Sequence, residues 1–156
     1  MIGFGYDSHR LAIGKLLVLG GIKIDSPLGT VAHSDGDALF HAVCDALLGA
    51  ASLGDIGEHF PNTDPRYKNA DSETFMREVM KLIFAKKLKI VNIDAVIILE
   101  EPKLSKYKHQ IKNNIARICA ITPEQINIKA KTNEKLGFVG KKEGVAIYCV
   151  CQLEKI

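Results

Sequence analysis

The order in which strand-like and helix-like segments follow one another is the sequence feature that most restricts the fold of this chain. Six segments have the two-residue alternation or β-branched content of strands, and three have the composition or period of helices. The predicted strands are residues 2–7, 15–19, 22–24, 90–99, 126–130 and 144–153, the predicted helices are 38–48, 71–87 and 105–120, and residues 54–65 are predicted to form a long loop. The order β-β-β-α-α-β-α-β-β is typical of an α/β (α+β) sandwich, with helices packed on one face of a mixed sheet. The other face would need a partner, so we expect the chain to oligomerise.

Length and charge restrict the number of domains and the range of partners. A chain of 156 residues without repeats, low-complexity segments or a linker predicts a single domain over residues 1–156. No apolar run approaches the roughly 20 residues that cross a bilayer, so no membrane partner is predicted. The formal net charge of +3 suits anionic small molecules, whereas a nucleic-acid partner would require a denser basic patch.

The four cysteines, Cys44, Cys119, Cys149 and Cys151, form no C-x-x-C pair. Cys149 and Cys151 share one face of a predicted strand, so we interpret all four as buried, reduced thiols rather than as disulfides or metal ligands. Reduced thiols indicate a reducing compartment. The N-terminal residues lack a basic stretch followed by an apolar one, so no signal peptide is predicted and the expected compartment is the cytoplasm. Removal of a transit peptide from a longer precursor would instead indicate the plastid stroma.

The pair Asp7 and His9 is the first candidate metal site. Residues two apart on an extended chain point to the same side, so both side chains can face one ion. His41, on the first predicted helix, is a candidate third ligand, and this set leaves a coordination position open, as in catalytic zinc sites. A chance Asp-x-His pair and a hydrogen-bonded core histidine are the alternatives. Asp45, one turn after His41, is either the partner of the second ring nitrogen or a solvated helix residue.

Two further polar segments have the chemistry of phosphate sites. Residues 32–37 precede a predicted helix, where His33, Ser34 and backbone N–H groups can hold an anionic phosphate. A simple helix-capping loop is the alternative. Just past a predicted strand, Thr132 can bind a phosphate oxygen and Glu134 can ligate a hard cation such as Mg²⁺ or Mn²⁺. A plain charged turn would have the same composition.

Four motifs that occur together are similar to those of one enzyme family. They are residues 3–10 (Gly-Phe-Gly-Tyr-Asp-Ser-His-Arg), 32–38 (Ala-His-Ser-Asp-Gly-Asp-Ala), 53–65 (Leu-Gly-Asp-Ile-Gly-Glu-His-Phe-Pro-Asn-Thr-Asp-Pro) and 132–140 (Thr-Asn-Glu-Lys-Leu-Gly-Phe-Val-Gly). Their order and spacing resemble the 2-C-methyl-D-erythritol 2,4-cyclodiphosphate synthase family from residue 2 to about residue 150, with no large insertion. The resemblance implies a metal-dependent phosphorus–oxygen lyase of the non-mevalonate isoprenoid pathway.

In the reaction that this resemblance implies, the substrate is the CDP-linked small molecule 4-diphosphocytidyl-2-C-methyl-D-erythritol 2-phosphate. Its 2-phosphate attacks the β-phosphorus, which yields the 2,4-cyclodiphosphate and releases CMP. Positioning and neutralisation of charge would provide most of the catalysis, without a protein nucleophile. The resemblance also implies a homotrimer with active sites between neighbouring subunits, and zinc held by Asp7, His9 and His41.

The remaining site residues are likewise assigned by the resemblance. His33, Thr132 and Glu134 are assigned to catalysis, with Glu134 holding Mg²⁺ or Mn²⁺ at the diphosphate. His33 and Ser34 would lie in a mobile loop over the erythritol phosphate. The other implied substrate contacts are Asp55, Gly57 and the loop Phe60–Asp64 for the erythritol part, and Pro102, Lys103, Leu104 and Ala130 of the adjacent subunit for the cytosine.

Three positions depart from the commonest pattern of the family. Asn62 stands where an aspartate is usual, and Lys131 adds a positive charge near the phosphates. Lys141 often corresponds to an arginine near the trimer axis, where a hydrophobic cavity lined by Phe138 can bind isoprenoid diphosphates. Lysine lacks the bidentate fork with which an arginine would hold such a ligand.

Two other functions are compatible with parts of the pattern. One is a zinc-dependent phosphoester hydrolase acting on a nucleotide, in which the same metal set would activate water. The other is a trimeric, non-catalytic sensor of isoprenoid diphosphates. The presence of two complete sets of candidate metal ligands favours an enzyme over a sensor.

Overall fold

The computed structural model describes residues 1–156 and contains seven strands, five helices and two 3₁₀ turns. The strands are β1 (Ile2–Ile13), β2 (Leu17–Leu19), β3 (Ile22–Ile24), β4 (Leu28–Val31), β5 (Leu88–Ile98), β6 (Ile126–Lys131) and β7 (Gly144–Lys155). The helices are α1 (Ala38–Ala50), α2 (Ile56–His59), α3 (Ser72–Ala85), α4 (Lys108–Cys119) and α5 (Gly137–Gly140), with 3₁₀ turns at Pro65–Tyr67 and Pro123–Gln125. None of these helices combines the length and the apolar character needed to cross a membrane.

A five-stranded sheet in the order β4-β1-β7-β5-β6 forms the centre of the fold. Neighbouring strands are antiparallel except β5 and β6, which run parallel, and β2 pairs with β3 in a separate hairpin. A parallel pair needs a crossover connection, which is supplied here by α4. The mixed sheet predicted from the order of the segments is therefore confirmed.

The helices α1, α3 and α4 pack against one face of this sheet, as predicted. Along β7, Ile147 and Cys149 are buried on that side. The intervening Tyr148 points the other way and is 39% exposed, and its ring centroid lies 5.0 Å from that of Tyr6 on β1. We call this uncovered side the open sheet face; its exposed apolar residues are Phe4, Tyr6, Tyr148 and Val150.

Three short elements, β4, α2 and α5, are not anticipated by the sequence pattern. Strand β4 pairs with the second half of β1, with Arg10 opposite Val31, so β1 continues to Ile13 instead of ending at Asp7. Helix α2 lies inside the predicted irregular loop and begins where Asp55 accepts a hydrogen bond from the Glu58 N–H (3.0 Å). Elements of four residues span too few positions to show a period.

All four cysteine side chains are buried and none forms a disulfide, which confirms their interpretation as free thiols. Burial raises the pKa of Cys119 to about 12, and burial raises that of Cys151 to about 11. Both groups therefore remain protonated at neutral pH.

The carboxylate of Asp37 joins two parts of the fold. Asp37 is fully buried, and its oxygens accept hydrogen bonds from the backbone N–H groups of Gly20 (2.9 Å), Gly21 (2.7 Å) and Phe40 (3.0 Å). The bond from Phe40 caps α1, and the two glycine bonds hold the β2–β3 turn against the start of this helix. Burial raises the pKa of Asp37 to about 6 against the opposing effect of the three N–H donors, so the group is ionised at neutral pH.

Helix α1 lies unusually close to β1 because two glycines of the strand face it. A Cβ atom added to Gly3 would lie 1.9 Å from the carbonyl oxygen of Ala46, and one added to Gly5 would lie 1.9 Å from that of Ala42. Real Cβ atoms do not approach backbone oxygen this closely, so any side chain at either position would push the helix away. Asp7 and His9 follow Gly5 on the helix-facing side of β1. The glycine contact therefore determines how closely side chains of α1 can approach these two residues.

We expect the substitution Gly5→Ala to lower the free energy of unfolding by about 1–3 kcal/mol, since the added methyl group must displace α1 from the sheet. Urea unfolding followed by circular dichroism measures this loss.

Gly49→Ala is the matched control, because a Cβ there meets only the Phe4 carbonyl oxygen at 3.9 Å. Within a helix this change should raise the free energy of unfolding by up to about 1 kcal/mol. Equal stability of the Gly5→Ala variant and the wild type would contradict the close approach.

Candidate active site and metal centre

The predicted metal ligands Asp7, His9 and His41 converge at one point between β1 and α1. Asp7 Oδ2 lies 2.9 Å from His9 Nδ1 and 3.3 Å from His41 Nδ1. One candidate ligand atom from each residue lies within 4.8 Å of the others. Asp7 and His9 project from the helix-facing side of β1, and His41 lies on α1, one turn after the cap at Asp37.

The polar atoms of this cluster fit a bound cation. Asp7 Oδ2 and His9 Nδ1 are buried 2.9 Å apart, and neither atom makes a hydrogen bond of good geometry. Leaving such atoms unpaired is costly, and a metal ion accepts their lone pairs without requiring a proton. Two imidazoles and one carboxylate are ligands that zinc commonly takes in proteins.

The charges of the cluster depend on one another. Burial raises the pKa of Asp7, but its contacts with His41 and His9 outweigh burial and place the pKa below its ordinary value. Burial lowers the pKa of His41, but the Asp7 carboxylate outweighs that effect and raises the pKa above its ordinary value. An incoming cation would therefore have to replace the proton that His41 shares with Asp7.

A cavity of about 390 Å³ opens beside the metal ligands. Besides Asp7, His9 and His41, its lining includes four residues predicted to contact substrate, which are His33, Ser34, Gly57 and Phe60, and it also includes Asn62. Two predicted contacts do not line it. Asp55 caps α2, and Asp64 caps a 3₁₀ turn and pairs with Arg66 at 2.7 Å.

The residues predicted for the cytosine lie elsewhere, around a second cavity of about 190 Å³. The predicted residues in its lining are Pro102, Lys103, Leu104, Ala130 and Thr132. The two cavities have no lining residue in common. Within one chain, the candidate metal centre and the candidate nucleotide pocket are therefore separate.

Glu134 and the predicted axial residues lie outside both of these cavities. Glu134 is exposed beside Thr132, with its Oε1 at 3.4 Å from Thr132 Oγ1. Phe138 lines a third cavity of about 250 Å³ together with Arg10 and Glu143, whereas Lys141 does not line it.

The structure identifies three side chains at these sites that sequence reasoning missed: Asp35, Ser72 and Glu100. Of the two alternatives for Asp45, the contact with His41 is wrong, because Asp45 Oδ1 instead accepts a hydrogen bond from the Ile56 N–H (2.8 Å). The Nε2 atom of His41 instead lies 3.0 Å from Ser72 Oγ, and Ser72 is also hydrogen-bonded to Asp35. Nothing in the local sequence pattern distinguishes Ser72 from an ordinary residue at the start of a helix.

Glu100 organises the turn that carries Thr132 and Glu134. Its two carboxylate oxygens accept hydrogen bonds from the backbone N–H groups of Asn133 (3.0 Å) and Lys135 (3.0 Å). Glu134 and Lys135 have φ values of 52° and 62°. This left-handed backbone conformation is unfavourable for residues other than glycine. The carboxylate of Glu100 thus stabilises a strained turn at the edge of the second cavity.

The comparisons with known proteins agree with this geometry. The sequence profile of the YgbB family matches residues 1–154. The chain is 49% identical over 153 residues to the 2-C-methyl-D-erythritol 2,4-cyclodiphosphate synthase of Chlorobaculum tepidum, covering 98% of both chains. It superposes on a solved structure of a 2C-methyl-D-erythritol-2,4-cyclodiphosphate synthase in a CDP-bound form with a TM-score of 0.92 and 42% identity, covering 99% of this chain and 100% of that one. The chain also matches the structure of the bifunctional IspDF of Campylobacter jejuni with a TM-score of 0.95 and 40% identity. This match covers 99% of the present chain and 42% of the longer IspDF chain.

The fold and the site together define an α+β enzyme with a candidate metal centre on the helix-covered side of a mixed sheet. More narrowly, the chain belongs to the YgbB family, whose relatives named above are 2-C-methyl-D-erythritol 2,4-cyclodiphosphate synthases.

We expect Glu100→Ala to loosen the turn at residues 132–135, because both N–H groups lose a charged acceptor. The amide protons of Asn133 and Lys135 should then exchange with solvent about tenfold faster or more, as measured by NMR hydrogen exchange.

Glu101→Ala is the control for this measurement, since the Glu101 carboxylate contacts only the exposed ammonium group of Lys142 (3.0 Å). Unchanged exchange of both amides in the Glu100→Ala variant would show that the turn does not depend on this carboxylate.

Proposed function

We propose that this chain catalyses the reaction for which its relatives are named, the conversion of 4-diphosphocytidyl-2-C-methyl-D-erythritol 2-phosphate into the 2,4-cyclodiphosphate and CMP. The observation that carries the proposal is the convergence of Asp7, His9 and His41 on a cavity, in a chain that matches such a synthase over 98% of its length. The enzyme is thereby a phosphorus–oxygen lyase of non-mevalonate isoprenoid synthesis.

In this proposal Asp7, His9 and His41 hold zinc, and Glu134 holds Mg²⁺ or Mn²⁺ at the diphosphate. Asp7 Oδ2 and His9 Nδ1 support the first assignment, because both atoms are buried and neither makes a hydrogen bond of good geometry. A carboxylate beside a phosphate-binding hydroxyl supports the second, since hard cations prefer oxygen ligands. Bound cations would neutralise the charge that develops on the phosphate oxygens.

The protein side chains bind and orient two anionic groups that repel each other. His33 and Ser34 line the first cavity and hold the erythritol 2-phosphate there. The Thr132 hydroxyl donates a hydrogen bond to the diphosphate, and Lys131 beside it adds a positive charge. An oxygen of the 2-phosphate forms a bond to the β-phosphorus while the bond from that phosphorus to the bridging oxygen breaks, and CMP leaves with that oxygen. The attacking phosphate is already ionised, so no general base is required.

The remaining substrate contacts are proposed from the cavities that contain them. Gly57 and Phe60 line the first cavity and face the erythritol part, together with Asn62, whose neutral amide replaces a carboxylate. Asp55 and Asp64, which do not line the first cavity, are also proposed to contact the erythritol part. The cytosine binds in the second cavity, against Pro102, Lys103, Leu104 and Ala130.

The separation of the two cavities supports a homotrimer in which each active site combines the first cavity of one subunit with the second cavity of its neighbour. The open sheet face supports association as well, because an exposed apolar sheet surface of this kind is typical of a protein interface. An isoprenoid diphosphate would bind on the trimer axis near Phe138 and Lys141, where a third cavity lies beside Phe138.

The proposed enzyme is a single domain over residues 1–156, and its proposed compartment is the cytoplasm, or the plastid stroma after removal of a transit peptide. The four free, buried thiols support a reducing environment.

The reaction is tested by ³¹P NMR of the purified protein with 4-diphosphocytidyl-2-C-methyl-D-erythritol 2-phosphate, zinc and magnesium. We expect CMP to appear together with a cyclic diphosphate, because the 2-phosphate is the only nucleophile held at the β-phosphorus.

Other products would identify the rival functions. CMP with only linear phosphates would indicate a nucleotide hydrolase. Metal uptake without turnover would indicate a different substrate or a binding role, and purification without stoichiometric zinc would favour a sensor.

Shared active sites are tested by mixing two inactive variants, His41→Ala and Glu134→Gln, and allowing their subunits to exchange. If each site takes His41 from one subunit and Glu134 from its neighbour, a random equimolar mixture should recover about a quarter of wild-type activity.

A mixture of His41→Ala with Asp7→Ala is the matched control, since both changes damage the same half of the site and cannot complement each other. Native mass spectrometry of each mixture verifies that mixed trimers form. Recovery in neither mixture, with mixed trimers present, would mean that one chain supplies the whole site.

A further inference from the structure

The two ring nitrogens of His41 face different partners. Nδ1 points toward Asp7, at 3.3 Å from Asp7 Oδ2, within the candidate metal centre. Nε2 points the opposite way, toward the start of α3, where it lies 3.0 Å from Ser72 Oγ. Ser34 Oγ is also near Nε2, but at 3.4 Å it is too distant for a strong hydrogen bond. Ser72 is therefore the main partner of this nitrogen.

The hydroxyl proton of Ser72 is already committed to another group. Ser72 is fully buried and donates this proton to Asp35 Oδ1, while Asp35 Oδ2 accepts a hydrogen bond from the Ser72 backbone N–H (2.9 Å). A serine hydroxyl has one proton, and an ionised carboxylate can only accept. Ser72 can therefore offer His41 nothing but a lone pair, so Nε2 of His41 must carry the proton of the neutral ring.

Asp35 is itself held in place on both sides. Its Oδ1 accepts a hydrogen bond from the Asp37 N–H (3.1 Å), and its own N–H donates to the Ala70 carbonyl oxygen (3.2 Å). The loop that carries His33 and Ser34 is thus fastened to the residues that precede α3. Because neither end of the Asp35–Ser72 pair can rotate freely, the direction of the Ser72 hydroxyl is determined by the fold.

We propose that Asp35 and Ser72 form a positioning pair that fixes His41 in its Nε2–H tautomer and leaves the Nδ1 lone pair free to bind the metal, a role that rests on the metal site proposed above. Without this pair, a neutral imidazole would populate two tautomers and two ring orientations. Only the Nε2–H tautomer in one of these orientations directs the Nδ1 lone pair at the ion. Partners of this kind commonly alter metal affinity by about 10- to 100-fold.

The proposal is tested with the Ser72→Ala variant, whose zinc affinity is measured by competition with a chromophoric chelator. We expect its affinity to fall about 10- to 100-fold relative to wild type. Asp71→Ala is the matched control: Asp71 caps the same helix through the Glu73 N–H (2.8 Å) but does not touch His41, so its zinc affinity should stay at the wild-type value. An equal loss of zinc affinity in both variants would show that Ser72 acts only by stabilising the start of α3, and it would overturn the proposal.

The tautomer is read directly from ¹⁵N chemical shifts of the imidazoles in long-range ¹H–¹⁵N spectra of the zinc-loaded wild type. We expect a protonated Nε2 and a metal-bound Nδ1 in His41. A protonated Nδ1, or a Ser72→Ala variant with wild-type zinc affinity, overturns the positioning role while leaving the metal site intact. A wild-type protein that takes up no zinc would instead remove the metal site and, with it, the role of the pair.

Discussion

The close contact between α1 and β1 at Gly3 and Gly5 is the constraint on which the rest of the structure depends. Because Gly3 and Gly5 have no side chains, backbone carbonyl oxygens of α1 occupy the space that Cβ atoms at these two positions would need. The same side of β1 then carries Asp7 and His9, and the same helix carries His41 one turn after its cap. A helix held a few ångströms further out would leave the three candidate ligands too far apart to share one ion. The packing of α1 and the geometry of the candidate metal centre are therefore consequences of the same two glycines.

Buried or half-buried carboxylates organise the loops around this contact. Asp37 ties the β2–β3 turn to the start of α1, and Asp35 ties the following loop to α3. Glu100 does the same for the left-handed turn beside Thr132. In each case the carboxylate oxygens accept hydrogen bonds from backbone N–H groups that have no partner within a helix or sheet, and such partners let an irregular segment be well ordered. Four residues of the proposed mechanism lie on two of these segments: His33 and Ser34 on the loop before α1, and Thr132 and Glu134 on the turn after β6.

The long elements and the facing of Asp7 and His9 to one side of a strand could be predicted from the sequence, because a period and a two-residue spacing are local properties. The predicted strand at 144–153 and the helix at 38–48 differ from β7 and α1 by only two residues at one end. Strand β4 and helix α2 were missed because four residues show no period and because β4 is stabilised by pairing with a distant part of β1. Ser72 was missed for a similar reason, since its partners Asp35 and His41 lie more than thirty residues away. The separation of the candidate metal centre from the residues predicted for the cytosine could be expected only from the family resemblance, since spacing along a chain does not reveal which cavity a residue lines.

The four thiols in the core have a consequence for how the protein meets reactive chemicals. Only a thiolate attacks an alkylating agent quickly, and these sulfur atoms are both hidden from solvent and held in the protonated form. Modification in the folded state must therefore wait for the sheet and its helices to separate. The rate at which such reagents modify the thiols therefore measures how often the core opens, and this measurement needs no added label.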